Sequence, residues 1–550
     1  MRKQTKIAAL ISAAAVLSVG GAMTAFAATG WQQENGTWVY YNRNEEKVTE
    51  QWQKSGDYWY YLDDNGEMAV DSLIDDNGDT YYVDVNGVMV TNRWVAVDNE
   101  NAGDENEPNQ WWYYFGANGK AYKRSDSATG DVSLKTINGK KYTFDTDGKM
   151  QYGWVKDGET QYDDNAWQDA EYYFGDENDG AMAEGWKEIA IRDDQSADAQ
   201  PGDNYWDEDQ TRWFYFKASG KKEKNQTGKT INGRKYGFDE YGRMNAGWVT
   251  QATVSNASVK DGGSQGIATY SNSFMNYSTP EDGARYTKGW FKVTPGYYLQ
   301  KDKYEDGSDY WYYSDGNGKL VTNQIKTING KKYAFDNYGR MISGFVVLQM
   351  QAAGTGFSSK DIVTKLDDEN AYDTADNYNR FVKANEGVFR SGEVRAYFFG
   401  GSDDGSMKTG KQSVDLDGEK YTFEFEKNGS KKGAGINGMD DHKFYVGGKL
   451  TTADSDNKVE IVVLNSNNQL VTKSSVADAI NTYSTGGTQH FKSNGDLDYT
   501  EYHFNNLPTG AKAYVVNTTG AMVKSGTKKD GEDYKVKTSN YTVDWVRLEE

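Results

Sequence analysis

The chain has 550 residues and no cysteine, with a mean hydropathy of −0.87 and a formal net charge of −21. The lack of cysteine excludes disulfides and thiolate-bound metals as a source of stability, and the acidic balance argues against binding of nucleic acid through a basic surface. Aromatic residues are frequent, with 41 Tyr, 21 Phe and 16 Trp. This composition predicts many local clusters of buried rings and argues against both disorder and one large aliphatic core.

The first 27 residues have the features of an export signal. MRKQTK is a basic n-region, the stretch after it is apolar and rich in alanine, and Ala25-Phe26-Ala27 is an A-x-A cleavage site. We therefore predict a mature chain that begins at Ala28, with an uncleaved membrane anchor as the alternative. No later stretch of the sequence is long and apolar enough to span a bilayer. The sequence thus predicts an extracellular protein.

A repeat of about 20 residues follows this signal. Trp31, Trp52, Leu73 and Trp94 are evenly spaced, and aromatic runs such as WVYY, WYYL and TYYV lie between them. Phrases such as DDNGEM come next, and their Asn-Gly or Asp-Gly pairs supply the positive φ angles of tight turns. Because aromatic and β-branched runs favour strands, each unit is predicted to be a β-hairpin. A lone hairpin is marginal in water, so successive hairpins are expected to stack.

A longer phrase, KTINGKKYTFDTDGKMQYGW, starts at Lys135 and has close copies that start at Lys229 and Lys326. In these copies, lysine stands where other units have the first aromatic residue of the strand. The buried rings, such as Tyr142 and Phe144, are retained. We predict that the copies are mainly spacers and that ligand sites lie in the Trp-rich units between them.

Long insertions separate the leading tryptophan from the aromatic strand in several units. They follow Trp94 and Trp186 and cover residues 249–309 and 346–395, with a short helix predicted inside 358–385. We predict that they lie at hairpin tips, which tolerate growth and often carry specificity. Acidic solvated loops without a ligand are the alternative.

The repeat becomes irregular from about Gly433. The predicted divisions are therefore a signal peptide over residues 1–27, a hairpin repeat array over 28–432, and a region of degenerate repeats over 433–550. The last region contains either a long insertion or a small separate β-rich element.

The phrase GW…WYY…DxNGxM…GW resembles the choline-binding and cell-wall-binding repeats of Gram-positive surface proteins. TINGKKYxFDxxGxM is similar to repeats in the glucan-binding regions of secreted glucosyltransferases and in the receptor-binding regions of large clostridial toxins. The resemblance extends from about Gly30 to Gly433, with patches beyond. It implies an all-β fold, a β-solenoid of stacked hairpins that is not catalytic and holds its ligands between consecutive hairpins.

In the choline-binding members of this family, the leading Trp, the first aromatic residue of the strand and a ring of the next hairpin surround a quaternary ammonium. Ring faces attract a desolvated cation by roughly 0.5–2 kcal/mol per contact. Flat rings also stack on sugars, so choline and glycan both remain open as ligands. The resemblance implies these ligand-binding aromatic residues, each with hairpin packing as its alternative role: Trp31, Trp38, Trp52, Trp59, Tyr61, Trp94, Trp112, Trp154, Trp186, Trp213, Trp248, Trp290 and Trp311.

The repeat region lacks the histidine and cysteine residues that many catalytic sites use. The three histidines, His442, His490 and His503, all lie near the C-terminus, so a zinc site or a Ser-His-Asp triad could involve only that segment. Fragments such as DTDGK lack the full calcium-loop spacing. We therefore predict no catalytic residue, metal or cofactor.

The predicted function is that of a secreted, non-enzymatic protein associated with the Gram-positive cell wall. Its predicted partner is the choline of teichoic acid or a wall polysaccharide, with no nucleic acid and no membrane span after signal cleavage. One alternative is an adhesin or scaffold that binds a host or bacterial surface protein through its acidic insertions. A second alternative is a cell-wall or glucan hydrolase with a site in the C-terminal segment.

Overall fold

A computed structural model of the chain describes residues 29–191, 210–250, 273–351 and 373–549. The predicted signal peptide lies outside these ranges, as do large parts of three predicted insertions. The described residues are mostly β-strands with a few short helices, which confirms the predicted all-β class. The chain divides into two compact units, Met1–Asn245 and Ala246–Glu550. The predicted boundary after residue 432 stays a prediction.

The described part of the first unit consists of short strands and one helix. The elements are β1 Gly30–Glu34, β2 Thr37–Tyr41, β3 Gln51–Ser55, β4 Tyr58–Leu62, β5 Ser72–Asp76, β6 Asp79–Val83, β7 Arg93–Asp98, β8 Gln110–Phe115, β9 Lys135–Ile137, β10 Lys140–Tyr142, β11 Gly153–Lys156, β12 Glu159–Thr160, α1 Ala166–Asp169, β13 Tyr172–Asp176, β14 Asp179–Met182, β15 Gly185–Ile191, β16 Gln210–Phe216, β17 Gln226–Ile231 and β18 Arg234–Phe238.

The second unit begins with similar hairpins and ends in wider sheets. Its elements are β19 Trp248–Thr250, β20 Phe274–Asn276, β21 Gly289–Val293, α2 Lys301–Glu305, β22 Tyr310–Ser314, β23 Gln324–Ile328, β24 Lys331–Phe335, β25 Gly344–Gln349, α3 Ala375–Ala384, α4 Glu386–Ser391, β26 Val394–Phe399, β27 Gly410–Leu416, β28 Glu419–Phe425, β29 Gly438–Asp440, β30 Lys443–Val446, β31 Lys449–Leu450, β32 Val459–Leu464, β33 Leu470–Ser474, α5 Val476–Tyr483, β34 Gly487–Phe491, β35 Leu497–Tyr502, β36 Lys512–Asn517, β37 Gly526–Lys529, β38 Tyr534–Ser539 and β39 Thr542–Glu549.

Most repeats are two-stranded antiparallel hairpins, as the sequence predicts. The strands β1 and β2 are joined by Asn35 and Gly36, whose φ angles of 49° and 90° are the two positive values that a tight hairpin turn requires. The insertions connect paired strands, for example β7 with β8 and β25 with β26, so they lie at hairpin tips. The last of these insertions contains α3, which confirms a helix within 358–385.

The predicted single insertion over 249–309 is wrong. This stretch contains two hairpins, because β19 pairs with β20 and β21 pairs with β22. Residues 251–272, at the tip of the first hairpin, lie outside the described ranges. The sequence pattern missed β20 because its residues, Phe274–Asn276, lack the usual Trp-Tyr-Tyr run.

The phrase after each hairpin connects that hairpin to the preceding one. After β4, the Asp63 carboxylate accepts the N–H groups of Asn65 at 2.9 Å and Glu67 at 2.8 Å, which closes a compact turn. The next residue, Met68, donates its N–H to the carbonyl of Trp38 at 2.7 Å. The same bond recurs between other hairpin pairs of each unit: Met89 to Trp59, Met150 to Trp112, Met244 to Trp213 and Met341 to Trp311.

The C-terminal region has a different architecture. Strands β27–β31 form a five-stranded sheet, and β32–β39 form an eight-stranded sheet in which β39 contacts β35, β36 and β38. Helix α5 packs on the apolar side chains of this second sheet, where Ile461, Val463 and Val515 are fully buried. This aliphatic core contrasts with the ring-filled hairpins, while a separate β-rich element within 433–550 stays a prediction.

Candidate functional site

The aromatic strand of a hairpin directs alternate rings toward two neighbours. In β4, Tyr60 contacts Trp31 of the preceding hairpin, with ring centroids 5.3 Å apart. Tyr61 instead contacts its cross-strand partner Trp52 at 5.1 Å, and Tyr81 of the next hairpin approaches the same indole at 5.1 Å. The leading tryptophan therefore lies in the seam between its own hairpin and the next one.

Five seams of the described residues combine a leading Trp, the Trp at the start of the aromatic strand and a Tyr from the next hairpin. We call them three-ring seams. The strand Trp lies two residues before the cross-strand partner of the leading Trp and thus on the same face of the hairpin. The sets are Trp31, Trp38 and Tyr60; Trp52, Trp59 and Tyr81; Trp94, Trp112 and Tyr142; Trp186, Trp213 and Tyr236; and Trp290, Trp311 and Tyr333.

Each compact unit contains a three-ring seam with nearly the same geometry. In the first unit, Trp186 lies 6.3 Å from Trp213 at an interplanar angle of 85° and 4.8 Å from Tyr236 at 67°. In the second unit, Trp290 lies 6.2 Å from Trp311 at 87° and 4.8 Å from Tyr333 at 70°. The three rings therefore stand at steep angles and form a corner.

The tryptophans of these seams are incompletely covered by protein. Trp59 is 41% exposed, and the other strand and leading tryptophans of the five seams are half-buried. Among the tyrosines of the next hairpin, Tyr60, Tyr142 and Tyr236 are buried, whereas Tyr81 and Tyr333 are half-buried. The open side is therefore made by indole rings in the seams of Trp31, Trp94 and Trp186, and by indole and tyrosine rings in the seams of Trp52 and Trp290.

The sequence analysis expected the third ring to come from the next hairpin but did not assign particular tyrosines to this role. Tyr142, Tyr236 and Tyr333 belong to the three KTING copies, so these copies are more than the predicted spacers: each supplies a ring to the seam of the Trp unit before it. The signal that could have identified them is register. Each Tyr occupies the strand position of Tyr60 and Tyr81, next to the lysine that replaces the strand Trp.

Trp154 differs from the leading tryptophans of the three-ring seams. It is only 8% exposed, and Phe214 contacts its ring at 5.3 Å. The Lys222 ammonium lies 5.3 Å from the centroid of the indole and donates to the carbonyls of Trp167 at 2.6 Å and Gln168 at 3.0 Å, near the end of α1. A cation of the chain itself therefore occupies the ring face that an external cation would need.

Lys222 stands at a position that methionine occupies in many other repeats. Its N–H bonds to the Glu171 carbonyl at 2.9 Å, which is the bond that Met68 and its equivalents make to the preceding hairpin. Glu171 in turn takes the place of the strand tryptophan and pairs with Lys221 and Lys224, each at 3.0 Å. The Trp154 seam therefore lacks the strand indole and contains an internal ammonium.

We expect the replacement Lys222→Met to flatten the pH dependence of stability. Burial lowers the pKa of Lys222 to about 7, whereas a lysine in an unfolded chain has a pKa of about 10.4. Between these values the unfolded chain binds more protons, so the free energy of unfolding of the wild type should rise as pH increases from about 7 to about 10.

Urea denaturation across this pH range measures the effect. Lys222→Met should lose the part of the slope that this group contributes, and Lys187→Met, at an exposed lysine of the same unit, should retain it. Equal slopes in wild type and Lys222→Met would contradict the lowering of the pKa of Lys222 by burial.

Trp248 is half-buried and contacts residues of the next hairpin, β21–β22, and of the segment between its strands. Its indole N–H donates to the carbonyl of Thr294 at 2.8 Å, and the fully buried Tyr312 contacts its ring at 5.0 Å. Gly296 lies so close that an added Cβ would approach the Trp248 Cβ within 2.8 Å. Trp154 is buried and Trp248 is half-buried, and neither belongs to a three-ring seam, so ligand binding at these two tryptophans stays a prediction.

The Trp186 and Trp290 seams differ in the charged side chain that lies opposite the strand tryptophan. Glu188 is the cross-strand partner of Trp213, whereas Lys292 is the cross-strand partner of Trp311, with its ammonium 5.8 Å from the ring centroid. Asp403 compensates in the second case: it pairs with Lys292 at 2.8 Å and accepts the indole N–H of Trp311 at 3.0 Å. These two bonds lower the pKa of Asp403. A carboxylate therefore borders both seams.

The three histidines of the C-terminal region do not meet. His442 stacks on Tyr541 at 4.4 Å and His490 stacks on Tyr499 at 4.5 Å, while His503 contacts Glu501 at 3.0 Å. The described ranges contain no group of three or more His, Cys, Asp or Glu residues that could hold a metal ion. Within the same ranges, no helix has the length and apolar character needed to cross a membrane.

Comparison with known proteins places a recognised repeat on one of these seams. Residues 48–94 match the choline-binding repeat family, and this stretch includes Trp52, Trp59 and Tyr81. The resemblance to choline-binding repeats is thereby confirmed for this part of the chain. Over 243 residues the chain is 27% identical to glucosyltransferase-S of Streptococcus mutans serotype c, a match that covers 44% of this chain and 12% of that protein.

Similar solved structures come from Streptococcus pneumoniae. They include the modular autolysin LytC, with 16% identity, a TM-score of 0.30 and coverage of 59% of this chain and 55% of that chain. The choline-binding domain of CbpL matches with 18% identity, a TM-score of 0.24 and coverage of 55% and 100%. Choline-binding protein F matches with 17% identity, a TM-score of 0.21 and coverage of 77% and 98%. The chain thus spans about half of LytC and a small part of the glucosyltransferase.

Proposed function

We propose that this protein is a secreted, non-catalytic binding protein that attaches to the Gram-positive cell wall by holding choline groups in its three-ring seams. The observation that carries the proposal is the repetition of one arrangement, in which two half-buried indoles and one tyrosine form a corner, in both compact units. The match of residues 48–94 to the choline-binding repeat family supports the same ligand.

The geometry of the seams favours a compact cation over a sugar. A sugar stacks its flat face on one ring, whereas the rings at Trp186 meet at 85° and 67° and enclose a roughly spherical group from several sides. Each ring face contributes roughly 0.5–2 kcal/mol toward a desolvated cation. Glu188 places negative charge beside the Trp186 seam, and the acidic chain attracts cations from a distance.

The hairpins are proposed to follow one another as a β-solenoid within each unit. The backbone bond from the residue after the turn phrase to the strand Trp of the preceding hairpin supports this arrangement, because it fixes each hairpin on its neighbour. A solenoid places a seam at each junction and would allow several choline groups of one wall polymer to be held together. Such multivalent attachment strengthens retention without any new contact.

Calorimetric titration with choline, its neutral isostere 3,3-dimethylbutanol and short α-glucans tests this function. Choline is expected to bind, and the isostere is expected to bind at least about tenfold more weakly, because it has the same shape but lacks the charge that the ring faces attract. Binding of α-glucan without binding of choline would contradict the proposal and favour a glucan-binding protein. The adhesin and hydrolase alternatives stay predictions from the sequence.

A further inference from the structure

The second unit contains a cavity of about 750 Å³ that is separate from the three-ring seams. It is lined by α3, the start of β26, the strands β28, β30 and β31, and residues 467–473. None of the rings of the Trp290 seam lines it. The helix α3 is fixed beside it, because Tyr378 contacts Phe345 at 5.2 Å and its hydroxyl donates to the carbonyl of Gly447.

Basic side chains outnumber acidic ones in the lining of this cavity, although the whole chain is strongly acidic. The basic residues are Lys383, Arg395, Lys431, Lys449 and Lys473, and the acidic residues are Asp376, Glu426 and Asp454. A local excess of positive charge within an acidic protein indicates that the cavity suits an anionic group.

Lys449 is a half-buried cation of this lining. Its ammonium donates to the side-chain oxygen of Asn379 at 3.2 Å and lies 4.7 Å from the centroid of the Tyr421 ring. Within the described ranges, no carboxylate oxygen lies within 4.0 Å of this ammonium. Burial, followed by the charge of Lys473, lowers the pKa of Lys449 to about 8. A bound anion would relieve this cost.

Lys473 differs from Lys449 because it has its own anionic partners. Its ammonium lies 2.7 Å from the buried carboxylate of Glu460 and 3.1 Å from that of Asp454. It therefore contributes positive charge near Lys449 without requiring a ligand itself. The cavity thus combines one cation that is directly paired with two carboxylates and one, Lys449, that lacks such an ion pair among the described residues, although Asp376 and Asp454 favour its charged form from further away.

The remaining polar lining suits a ligand with many hydroxyl groups. It provides carboxamides and hydroxyls that can both donate and accept hydrogen bonds, from Asn379, Asn437, Asn467, Asn468, Gln469, Thr451, Thr452 and Thr472. The half-buried ring of Tyr421 adds an aromatic face beside Lys449. An aromatic face, several carboxamides and one ammonium without a direct ion pair among the described residues match the chemistry of a sugar that carries an acidic group.

We propose that this cavity binds an anionic saccharide, whose phosphate or carboxylate contacts Lys449 and whose hydroxyls contact the surrounding carboxamides. This site would give the protein a second type of contact with an acidic glycan. It does not depend on choline binding by the three-ring seams, so either activity can fail without the other.

Calorimetry or saturation-transfer NMR on the full chain tests the site with glucose 6-phosphate, glucuronate, glucose and inorganic phosphate. At least one of the two anionic sugars should bind at least about tenfold more tightly than glucose and inorganic phosphate, since the ion contact and the hydroxyl contacts both contribute. The anionic sugar that binds more tightly shows whether the site prefers a phosphate or a carboxylate. No binding of either anionic sugar, or equal binding of glucose or phosphate, would overturn the proposal.

Variants assign the site to Lys449. Lys449→Met should weaken binding of the anionic sugar at least about tenfold, which is about 1.4 kcal/mol, and Lys449→Arg should retain most of it. Lys411→Met, at an exposed lysine of β27 outside the cavity lining, serves as the matched control. Choline binding should be unchanged in all three. Unchanged sugar binding by a folded Lys449→Met protein would overturn the assignment.

Discussion

Replacement of Asp336 by alanine should lower the free energy of unfolding of the second unit by about 3–5 kcal/mol, the usual cost of removing one partner from a buried ion pair. Asp336 and Arg340 are almost completely buried, and the guanidinium approaches the carboxylate at 2.8 Å and 2.7 Å. The other carboxylate oxygen accepts the N–H groups of Tyr338 at 2.9 Å and Arg340 at 2.8 Å. The substitution removes all of these bonds.

Asp315 provides a matched control in the preceding turn phrase. Its carboxylate accepts the N–H groups of Asn317 at 2.8 Å and Lys319 at 3.0 Å, but it has no buried arginine partner among the ion pairs of the described residues. Asp315→Ala should therefore cost only about 1–2 kcal/mol. Urea denaturation followed by tryptophan fluorescence compares the two variants, and equal losses would contradict the importance of the Asp336–Arg340 pair.

Replacement of the strand tryptophan in every three-ring seam by leucine should abolish measurable binding of choline. Each substitution removes one ring face, worth roughly 0.5–2 kcal/mol toward a cation, while leucine retains apolar bulk for packing. The five positions are Trp38, Trp59, Trp112, Trp213 and Trp311. Calorimetric titration of the fivefold variant measures the loss, with circular dichroism to confirm that the strands persist.

The adjacent residues Trp111 and Trp112 allow a single-site version of this test. They point to opposite faces of β8, and Trp111 contacts Lys149 at 4.7 Å while Trp112 belongs to the Trp94 seam. Trp112→Leu should reduce the number of choline molecules bound, whereas Trp111→Leu should leave that number unchanged. A loss of the same size in both variants would show that general destabilisation, and not removal of a seam ring, explains the effect.

The hairpins and the leading tryptophans could be predicted because the sequence signals for both lie within a single repeat. A period near 20 residues, aromatic runs and Asn-Gly turns all act within one unit. The third ring of a seam is different: whether Tyr81 or Tyr142 reaches a tryptophan depends on strand register and on the neighbouring hairpin, which no single unit encodes. A comparison of equivalent positions in successive repeats would have identified both tyrosines.

The contacts around Trp154 and Trp248 could not be predicted for a related reason. The Lys222 side chain contacts the ring of Trp154 near carbonyls at the end of α1, and residues 294–296 contact Trp248. In each case the contacting atoms come from an insertion or from a later repeat. Their position depends on how that segment folds, so the sequence around the tryptophan does not predict where these atoms lie.

The strand pairing of the eight-stranded sheet could not be predicted either, because the paired strands are far apart in the sequence. The run VEIVVL, which forms β32, is buried at every position and favours a strand on composition alone. Its partner β36 lies far along the chain, and β39 is more distant still. Sequence periodicity identifies such strands but does not pair them, so the sheet was expected only as an undefined β-rich element.

A crystal structure of the chain with bound choline tests most directly whether the three-ring seams bind choline. The account predicts a quaternary ammonium between Trp186, Trp213 and Tyr236 in the first unit and between Trp290, Trp311 and Tyr333 in the second. It predicts none beside Trp154, where the Lys222 ammonium already contacts the indole. Three-ring seams that stay empty at saturating choline, or choline bound beside Trp154 in their place, would contradict it.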